Sequence, residues 1–492
     1  MIIPEYNKFR DLARDHGRVV VYREISGDLV TPVALLNNNA GAGNLFLLES
    51  ANLDKSFSRY TFFGLNPEEI ITFKNGTLTL EKSNGEKNII DQNPIEYMTQ
   101  ILSKETSHRQ EALGNFCGGY VGFMGYDMVN YMGVLRREIK EDARQTIMAY
   151  MKVNEFYVFD NHMGKLFAAV SVVTKDDLQK SYEKASARSL EMALEIQNSS
   201  KSLDISDESF QQIVDFRQDE YTETVNFLKR EIENGEGIQV VLSNRYEVKC
   251  KINPVNLYRS IRNINPSPYM FYLKFGDDVL LGTSPEVHLK ITDGIAVLKP
   301  IAGTYRLENG NVESVKERLL NDPKEKAEHL MLLDLARNDI YTGCDHNTVK
   351  VVSSFQAEVY SHLVHIVSEV QGNLSRGVEP MKLFCSTFPA GTVSGAPKVR
   401  AMELIDQYEK TPRGFYAGCA GYFSYSQDLD TCIIIRSALV TKESTVIRAG
   451  AGIVYDSVPE KEYREVENKL GALFDSLKNI RTLEAKNVFA GR

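Results

Sequence analysis

Strand-like runs arrive in groups along this chain and are broken by helical runs; they do not alternate one for one with helices. Four apolar pieces, Val19–Tyr22, Leu45–Leu48, Tyr60–Phe63 and Glu69–Phe73, follow a short amphipathic helix from Tyr6 to about Arg14. Asn75-Gly76 and Asn84-Gly85 punctuate them as hairpin turns, because both pairs tolerate left-handed backbone. Phe116–Asp127 is dense in glycine and aromatics, the pattern of a strand packed tightly against another layer. Met148–Phe159 and Lys165–Val173 read as a further hairpin, and Asp176–Ile196 as a helix. Later runs at Gln239–Arg245, Tyr269–Phe275, Val279–Gly282, Val287–Ile291, Ala296–Pro300, Gly414–Tyr425, Thr431–Val440 and Thr445–Val454 read as strands. Helices are expected at Gln218–Asn234, Asp322–Asn338, Pro380–Cys385, Val399–Gln407 and from Pro459 to about Lys478. Grouped runs of this kind predict an α+β fold with large antiparallel sheets. No internal repeat stands out.

At 492 residues the chain exceeds what one compact core holds, so two domains are expected. Asn198–Ser209 is polar and serine-rich and marks the boundary, giving regions 1–200 and 209–492. A formal charge of −9 argues against a nucleic-acid partner. No apolar run approaches the roughly 18 residues of a membrane helix, and Met1–Arg10 lacks the basic leader and apolar core of a secretory signal. The six cysteines are scattered without a Cys-x-x-Cys pair, which suits free thiols in a reduced cytoplasm.

Chemistry is written on two helices. At about 100° per residue, Glu462, Glu465 and Lys469 share one border of the last helix, beside the apolar stripe of Val466, Leu470, Leu473 and Leu477. Asp322-Pro323 caps the other helix, where Glu325 and Glu328 stand at i, i+3. Each pair alone reads more simply as a solvated face. Facing one another, the two pairs need a counter-ion, and oxygen donors without paired Cys or His suit Mg²⁺. His362-x-x-His365 is a rival metal pair, against which stands the plainer reading of packed histidines. Arg436, within an apolar run expected to be a buried strand, demands an anionic partner. Lys398 and Lys469 add charge. The stretch Phe388–Lys398, with its glycines and prolines ahead of a helix, reads either as an anion-binding turn or as a plain connection. Together these residues suggest a small, multiply anionic substrate bridged by Mg²⁺.

Ordered blocks carry a resemblance: Gln239-Val-Val-Leu-Ser, Asn265-Pro-Ser-Pro-Tyr-Met, Ser284-Pro-Glu, Pro300-Ile-Ala-Gly-Thr, Glu328-His-Leu-Met-Leu-Leu-Asp-Leu-Ala-Arg-Asn-Asp, Gly391-Thr-Val-Ser-Gly-Ala-Pro-Lys, Asp430-Thr-Cys-Ile-Ile-Ile-Arg and Ala449-Gly-Ala-Gly. With them the chain resembles the chorismate-utilising enzymes, most closely the large subunits of anthranilate synthase. The resemblance implies two domains of large antiparallel sheets packed on each other, helices outside, and a site in the cleft between them. It implies that Glu328 and Glu465 hold Mg²⁺, supported by Glu325 and Glu462. Thr392, Tyr416, Arg436, Gly450, Ala451, Gly452 and Lys469, with Gly303 and Thr304, are then expected to receive chorismate. Glu286 becomes the general acid for the leaving hydroxyl, Thr392 its catalytic neighbour, and His362 the group that moves the ring proton as pyruvate leaves.

Two positions discriminate within the family. Water-adding relatives resemble this chain but carry a lysine base where it has Gln239. Aminodeoxychorismate synthases resemble it but carry a lysine nucleophile where it has Ala302. The resemblance thus implies a lyase of tryptophan biosynthesis that converts chorismate and ammonia to anthranilate and pyruvate. Cys117 is a poor glutaminase nucleophile, so ammonia is expected from a separate glutamine amidotransferase subunit (component II) in a heterotetramer. Glu49 and Ser50, completed by Pro268, Tyr269 and Met270, resemble the family's tryptophan feedback motif. After Thr304 the chain departs from the family's usual pattern, as it does after Asp339.

Overall fold

The structure is a computed structural model that describes residues 2–25, 30–50, 59–175, 177–196, 211–249, 251–307, 312–360 and 363–490. Among these, the strands form two sheets of 13 and 12 strands, in which every ladder is antiparallel. The first sheet runs in the order Ile2–Ile3, Arg18–Ile25, Lys165–Val173, Glu155–Asp160, Tyr60–Leu65, Asn44–Glu49, Tyr269–Phe275, Asp278–Ser284, Ser437–Val440, Thr445–Ile453, Gln239–Lys249, Gln211–Val214. The second runs Ile301–Arg306, Leu363–Asn373, Ile295–Leu298, Val287–Thr292, Leu429–Ile433, Cys419–Ser424, Gly119–Met124, Thr146–Val153, Glu69–Lys74, Thr77–Lys82, Lys87–Ile90. The expected α+β architecture of large antiparallel sheets is therefore present. Each sheet takes strands from both sides of the expected boundary at 198–209, which lies wholly outside the described residues.

The two sheets pack face to face over one apolar core. Phe46 and Phe62 of the first sheet meet Phe116 and Tyr422 on the second sheet's side, with ring centroids 5.5 to 6.5 Å apart. A second core lies on the outer face of the first sheet, where Tyr221, Val225, Leu257, Leu404, Val466 and Leu470 project from four helices. Thus the last helix, Pro459–Ala490, buries its predicted stripe and leaves the Glu465–Lys469 border open.

Four strands expected to be continuous, or to end in a plain turn, instead change sheet, in two places. Tyr60–Leu65 belongs to the first sheet, and after Asn66-Pro67-Glu68 the chain enters the second as Glu69–Lys74. Met148–Phe159 breaks at Asn154 and returns the other way. Asp278–Ser284 crosses at Pro285-Glu286 into Val287–Thr292, and Thr431–Val440 breaks at Ile434-Ile435-Arg436 and crosses back. Arg436 is therefore not inside a strand: it sits at the crossing with a left-handed φ of 51°. This hairpin–crossing–hairpin device occurs twice, a repeat that sequence reading missed; its only trace there is Pro67-Glu68 against Pro285-Glu286.

Four helices of seven residues or more were also missed, Pro254–Ile264, Val312–Asn321, Pro32–Asn38 and Pro94–Ser103. The first carried a legible signal, since Asn253 Oδ1 caps Val255 and Asn256 N–H groups ahead of Pro254. Five of the six cysteines are described, all as free thiols; Cys250 lies outside the described residues. No described helix is long and apolar enough to cross a membrane.

Candidate active site

The second crossing brings acid and cation together. The Glu286 carbonyl accepts from Ile433 N–H at 3.0 Å, and the Arg436 carbonyl accepts from Thr283 N–H at 3.2 Å, so the two connections are laced to each other. Burial pushes the Glu286 carboxyl up to about 8, although Thr392, the Ile301 N–H, Arg436 and Lys469 all favour its charged form. Thr392 Oγ1 stands beside that carboxyl, buried, at a geometry short of a full hydrogen bond. A carboxyl so poised is protonated at neutral pH and can give its proton away. Arg436 is depressed by burial and sustained by Glu286. Its side-chain hydrogen bond among the described residues is a long one, 3.4 Å to Asn265 Oδ1. A guanidinium so weakly answered is a receptor for an anion.

Gly303 forms the next wall. It lies at a β-bulge with φ 69°, and a Cβ there would come within 2.9 Å of Glu325 Oε2. Glycine takes the conformation without strain and leaves the carboxylate where it is. The Gly303 carbonyl accepts from His365 Nδ1–H at 3.3 Å, and Thr304 lies opposite His365 in the ladder. That bond assigns the proton to Nδ1 and leaves Nε2 as the basic nitrogen. Burial, with Arg436 next, drives the imidazole down to about 3, so it is neutral. His362, the expected proton carrier, lies outside the described residues. His365 is the histidine that shares the site with Arg436 and Lys469, and sequence reading had set it aside as packing.

The four glutamates converge in field. Burial raises Glu328, and Glu325 and Glu465 raise it further by like-charge repulsion. Burial also raises Glu462, as does Glu465, while Ser457 opposes. Glu465 is drawn to Lys469 Nζ at 2.7 Å, and that Nζ also donates to the Gly450 carbonyl at 2.9 Å. Both side chains of this pair are about half exposed, so water screens it. Among the described residues no three His, Cys, Asp or Glu side chains stand close enough together to grip an ion as they are. The donor set, however, is all carboxylate oxygen under mutual repulsion, which fits a hard divalent cation.

Gln239, Tyr416 and Ala302 are buried beside residues of this set. Gln239 is buried, and Gly452 makes room for it, since a Cβ there would lie 2.2 Å from Gln239 Nε2. Tyr416 is 3% exposed in the turn after Arg413, and Ala302 is buried next to Gly303. The stretch Phe388–Lys398 makes a four-residue helix, Gly391–Ser394, then a two-residue strand, Gly395–Ala396, paired with Gln239–Val240. It delivers Thr392 to Glu286. Lys398 does not serve an anionic substrate: Asp339 holds its Nζ at 3.0 Å, with the Ser386 and Thr387 carbonyls. That neutralised lysine joins two helix ends instead.

A family model described as chorismate binding enzyme matches residues 46–475. The chain belongs to the chorismate-binding enzyme family. It is 36% identical to the anthranilate synthase component 1 of Acetivibrio thermocellus, over 97% of this chain and 99% of that one. It is equally 36% identical to that of Aquifex aeolicus, over 95% and 96%. Among solved structures it superposes on anthranilate synthase component I from Streptococcus pneumoniae with a TM-score of 0.75 and 32% identity, covering 92% of this chain and 99% of that one. The menaquinone-specific isochorismate synthase of Escherichia coli shares the fold, with a TM-score of 0.71 at 18% identity over 96% and 99% of the two chains.

The residues expected to receive an effector lie on neighbouring strands of the first sheet and the turn before one of them. Glu49 pairs with Met270 across the ladder, which places it beside Tyr269, itself donating to Asp430 at 2.9 Å, and close to Pro268 and Ser50. Glu49 is already answered: Arg262 Nε donates to it at 3.1 Å and Tyr258 Oη at 2.7 Å. Arg262 comes from the helix that sequence reading missed, so this partner was invisible there.

Proposed function

We propose that the chain is the large component of an anthranilate synthase: chorismate and ammonia go in, anthranilate and pyruvate come out. The observation that carries this reading is the pair Gln239 and Ala302. Gln239 is buried against Gly452 and Ala302 next to Gly303, and neither can serve as base or nucleophile, so free ammonia is left to attack. Glu286, protonated at neutral pH, gives its proton to the departing ring hydroxyl. Arg436, Lys469, Tyr416, Thr304 and the Gly450–Gly452 backbone receive the two carboxylates, and Thr392 orients the acid. In place of His362 we assign the ring proton to His365. Burial first, then Arg436 and Lys469, hold that imidazole's basicity down, and a bound dianion offsets the two cationic fields and so raises it.

Mg²⁺ would be held by Glu328 and Glu465, with Glu325 and Glu462 in support, and would supply the positive charge that lets a dianion sit among carboxylates. Ammonia is mostly protonated near neutral pH, which favours delivery by a glutamine amidotransferase subunit in a heterotetramer. Region 1–200 is the regulatory part and 209–492 the catalytic part, in a cytoplasmic enzyme. Tryptophan would act as feedback inhibitor at Glu49, Ser50 and Pro268–Met270, its amino group competing with Arg262 for Glu49. The test is a chorismate assay with Mg²⁺ and high ammonium at alkaline pH. Anthranilate fluorescence and free pyruvate should rise together, and added tryptophan should suppress both. Chorismate consumed without pyruvate would replace this reading with an amino-deoxychorismate synthase, and no consumption would replace it with a silent regulatory subunit.

A further inference from the structure

Beneath the cleft lies a charged cluster that no step above uses. Glu409, Arg413, Arg448 and Ser243 are each under 5% exposed. Glu409 Oε1 accepts from Arg413 Nη2 at 2.7 Å and from Ser243 N–H and Oγ–H at 2.8 and 2.7 Å; Oε2 accepts from Arg448 Nη2 at 2.8 Å and Arg413 Nε at 3.1 Å. The remaining arginine donors reach outward. Arg413 Nη1 donates to the Val393 carbonyl at 2.6 Å and Nη2 to the Val241 carbonyl at 2.7 Å. Arg448 Nη1 donates to the Pro412 carbonyl at 2.6 Å, and Nε to Ser243 Oγ at 2.7 Å.

Every one of those anchors adjoins a residue assigned to the ligand. Val393 follows Thr392; Val241 and Ser243 stand opposite Gly452 and Gly450 in the ladder. Pro412 opens the turn that carries Tyr416, over whose ring the Arg413 guanidinium lies at 5.7 Å. Arg448 itself precedes Ala449-Gly450. We propose that Glu409, with Arg413 and Arg448, is the positioning hub that fixes four separate segments at the spacing chorismate requires. The inference rests on the chorismate reading of the cleft.

Stability alone is a poor reason to keep such a group. Burying three charges costs about as much as their attraction returns, and packed apolar residues of similar volume generally do as well or better. Two fork-shaped guanidiniums on one carboxylate do give something apolar residues cannot, a fixed set of directions for carbonyls from three segments besides Arg448's own strand. Two guanidiniums and one carboxylate also leave one positive charge in surplus beneath a pocket for a dianion.

Arg413→Lys, Glu409→Gln and Ser243→Ala test this through chorismate affinity, measured calorimetrically, alongside steady-state kinetics well below each variant's melting temperature. Arg413→Lys and Glu409→Gln should weaken chorismate about tenfold or more, since small misplacements are that costly. Ser243→Ala should weaken it about threefold. The KM for ammonium should stay within about twofold of the parent in all three, because none of the hub's hydrogen bonds reaches Gln239 or Ala302. Cooperatively folded variants that melt earlier yet bind chorismate like the parent would reduce the cluster to a structural role. Should Glu409→Gln not fold, the other two decide. A parent protein that binds no chorismate would instead overturn the reading of the cleft, and the control reveals it.

Discussion

The chain passes between its two sheets in two places, and the two passages differ in one respect that separates a joint from a site. At the first, Asn66-Pro67-Glu68 crosses one way and Asn154 the other, tied by Glu68 N–H to the Lys152 carbonyl at 3.1 Å. A cavity of about 240 Å³ lies there, lined by Phe46, Leu65, Pro67, Glu68 and Asn154. Its polar groups answer one another: Asn154 accepts from Arg18 and Tyr425 at 3.2 and 2.9 Å and donates to Glu68, while Glu155 pairs with Arg188 at 2.9 Å. At the second, Glu286 is held protonated by burial, and Arg436 meets a neutral amide at 3.4 Å. Equivalent backbone moves thus produce, in one place, a satisfied network and, in the other, groups that wait for a ligand. Chemistry follows unanswered charge rather than topology.

The largest break between the two should come from removing the acids. Glu286→Gln should lower kcat about a thousandfold while chorismate binding changes little, because a lost general acid acts on the transition state. Glu68→Gln, its counterpart at the first crossing, should leave kcat unchanged. Equal losses in stopped-flow or steady-state assays would erase the distinction drawn above.

Removing the cations sharpens it from the binding side. Arg436→Met should raise the KM for chorismate about a hundredfold, the worth of a buried charge-assisted contact. Asn154→Ala should instead cost roughly 1–2 kcal/mol of stability by removing the acceptor of Tyr425 Oη and of Arg18 Nη1, with KM untouched. A KM effect at Asn154, measured on folded protein, would show that the two crossings are coupled.

Acid–base behaviour gives the third contrast. With the Glu286 carboxyl near 8, turnover should fall about tenfold per pH unit above that value, as the acid form is lost. The sign for stability is the same. A carboxyl whose folded value is raised contributes stability in full below its unfolded value near 4.5, and that contribution is lost as pH rises through about 8. Melting temperatures across that window should therefore decline less in Glu286→Gln than in the parent. Identical slopes would mean that Glu286 ionises normally.

Much of this was legible in residues. The amphipathic border of Glu462, Glu465 and Lys469, the Asp322 cap and the Glu325–Glu328 pair came from helical period alone, and the fold class came from grouped strand runs. The sheet changes were not legible, since Ile434-Ile435-Arg436 continues a β-branched run and only its backbone turns left-handed. His365 escaped because one buried histidine reads like another until its neighbours are known. Lys398 misled for the converse reason: a signature lysine looks like a ligand receptor until Asp339, 59 residues away in sequence, is seen to hold it. Partners distant in sequence, such as Arg262 for Glu49 or Arg448 for Glu409, leave no local pattern to read.

The smallest effect lies in the backbone of the crossings. Asn66 and Arg436 both sit at φ 51°, where an ordinary side chain costs about 1 kcal/mol and asparagine rather less. Asparagine is a turn residue; arginine in that conformation is retained against its own preference. If the first crossing is only a turn, Asn66→Gly should shift stability by less than about 0.5 kcal/mol, and chorismate kinetics should not move. Arg436→Gly relieves the same strain and gains flexibility, yet it should lose the substrate as completely as Arg436→Met. Strain kept at one crossing and absent in effect from the other then tracks the side chain the ligand needs. Kinetics that shift in Asn66→Gly would instead mean that the geometry of the outer joint is transmitted along the sheets to the inner one.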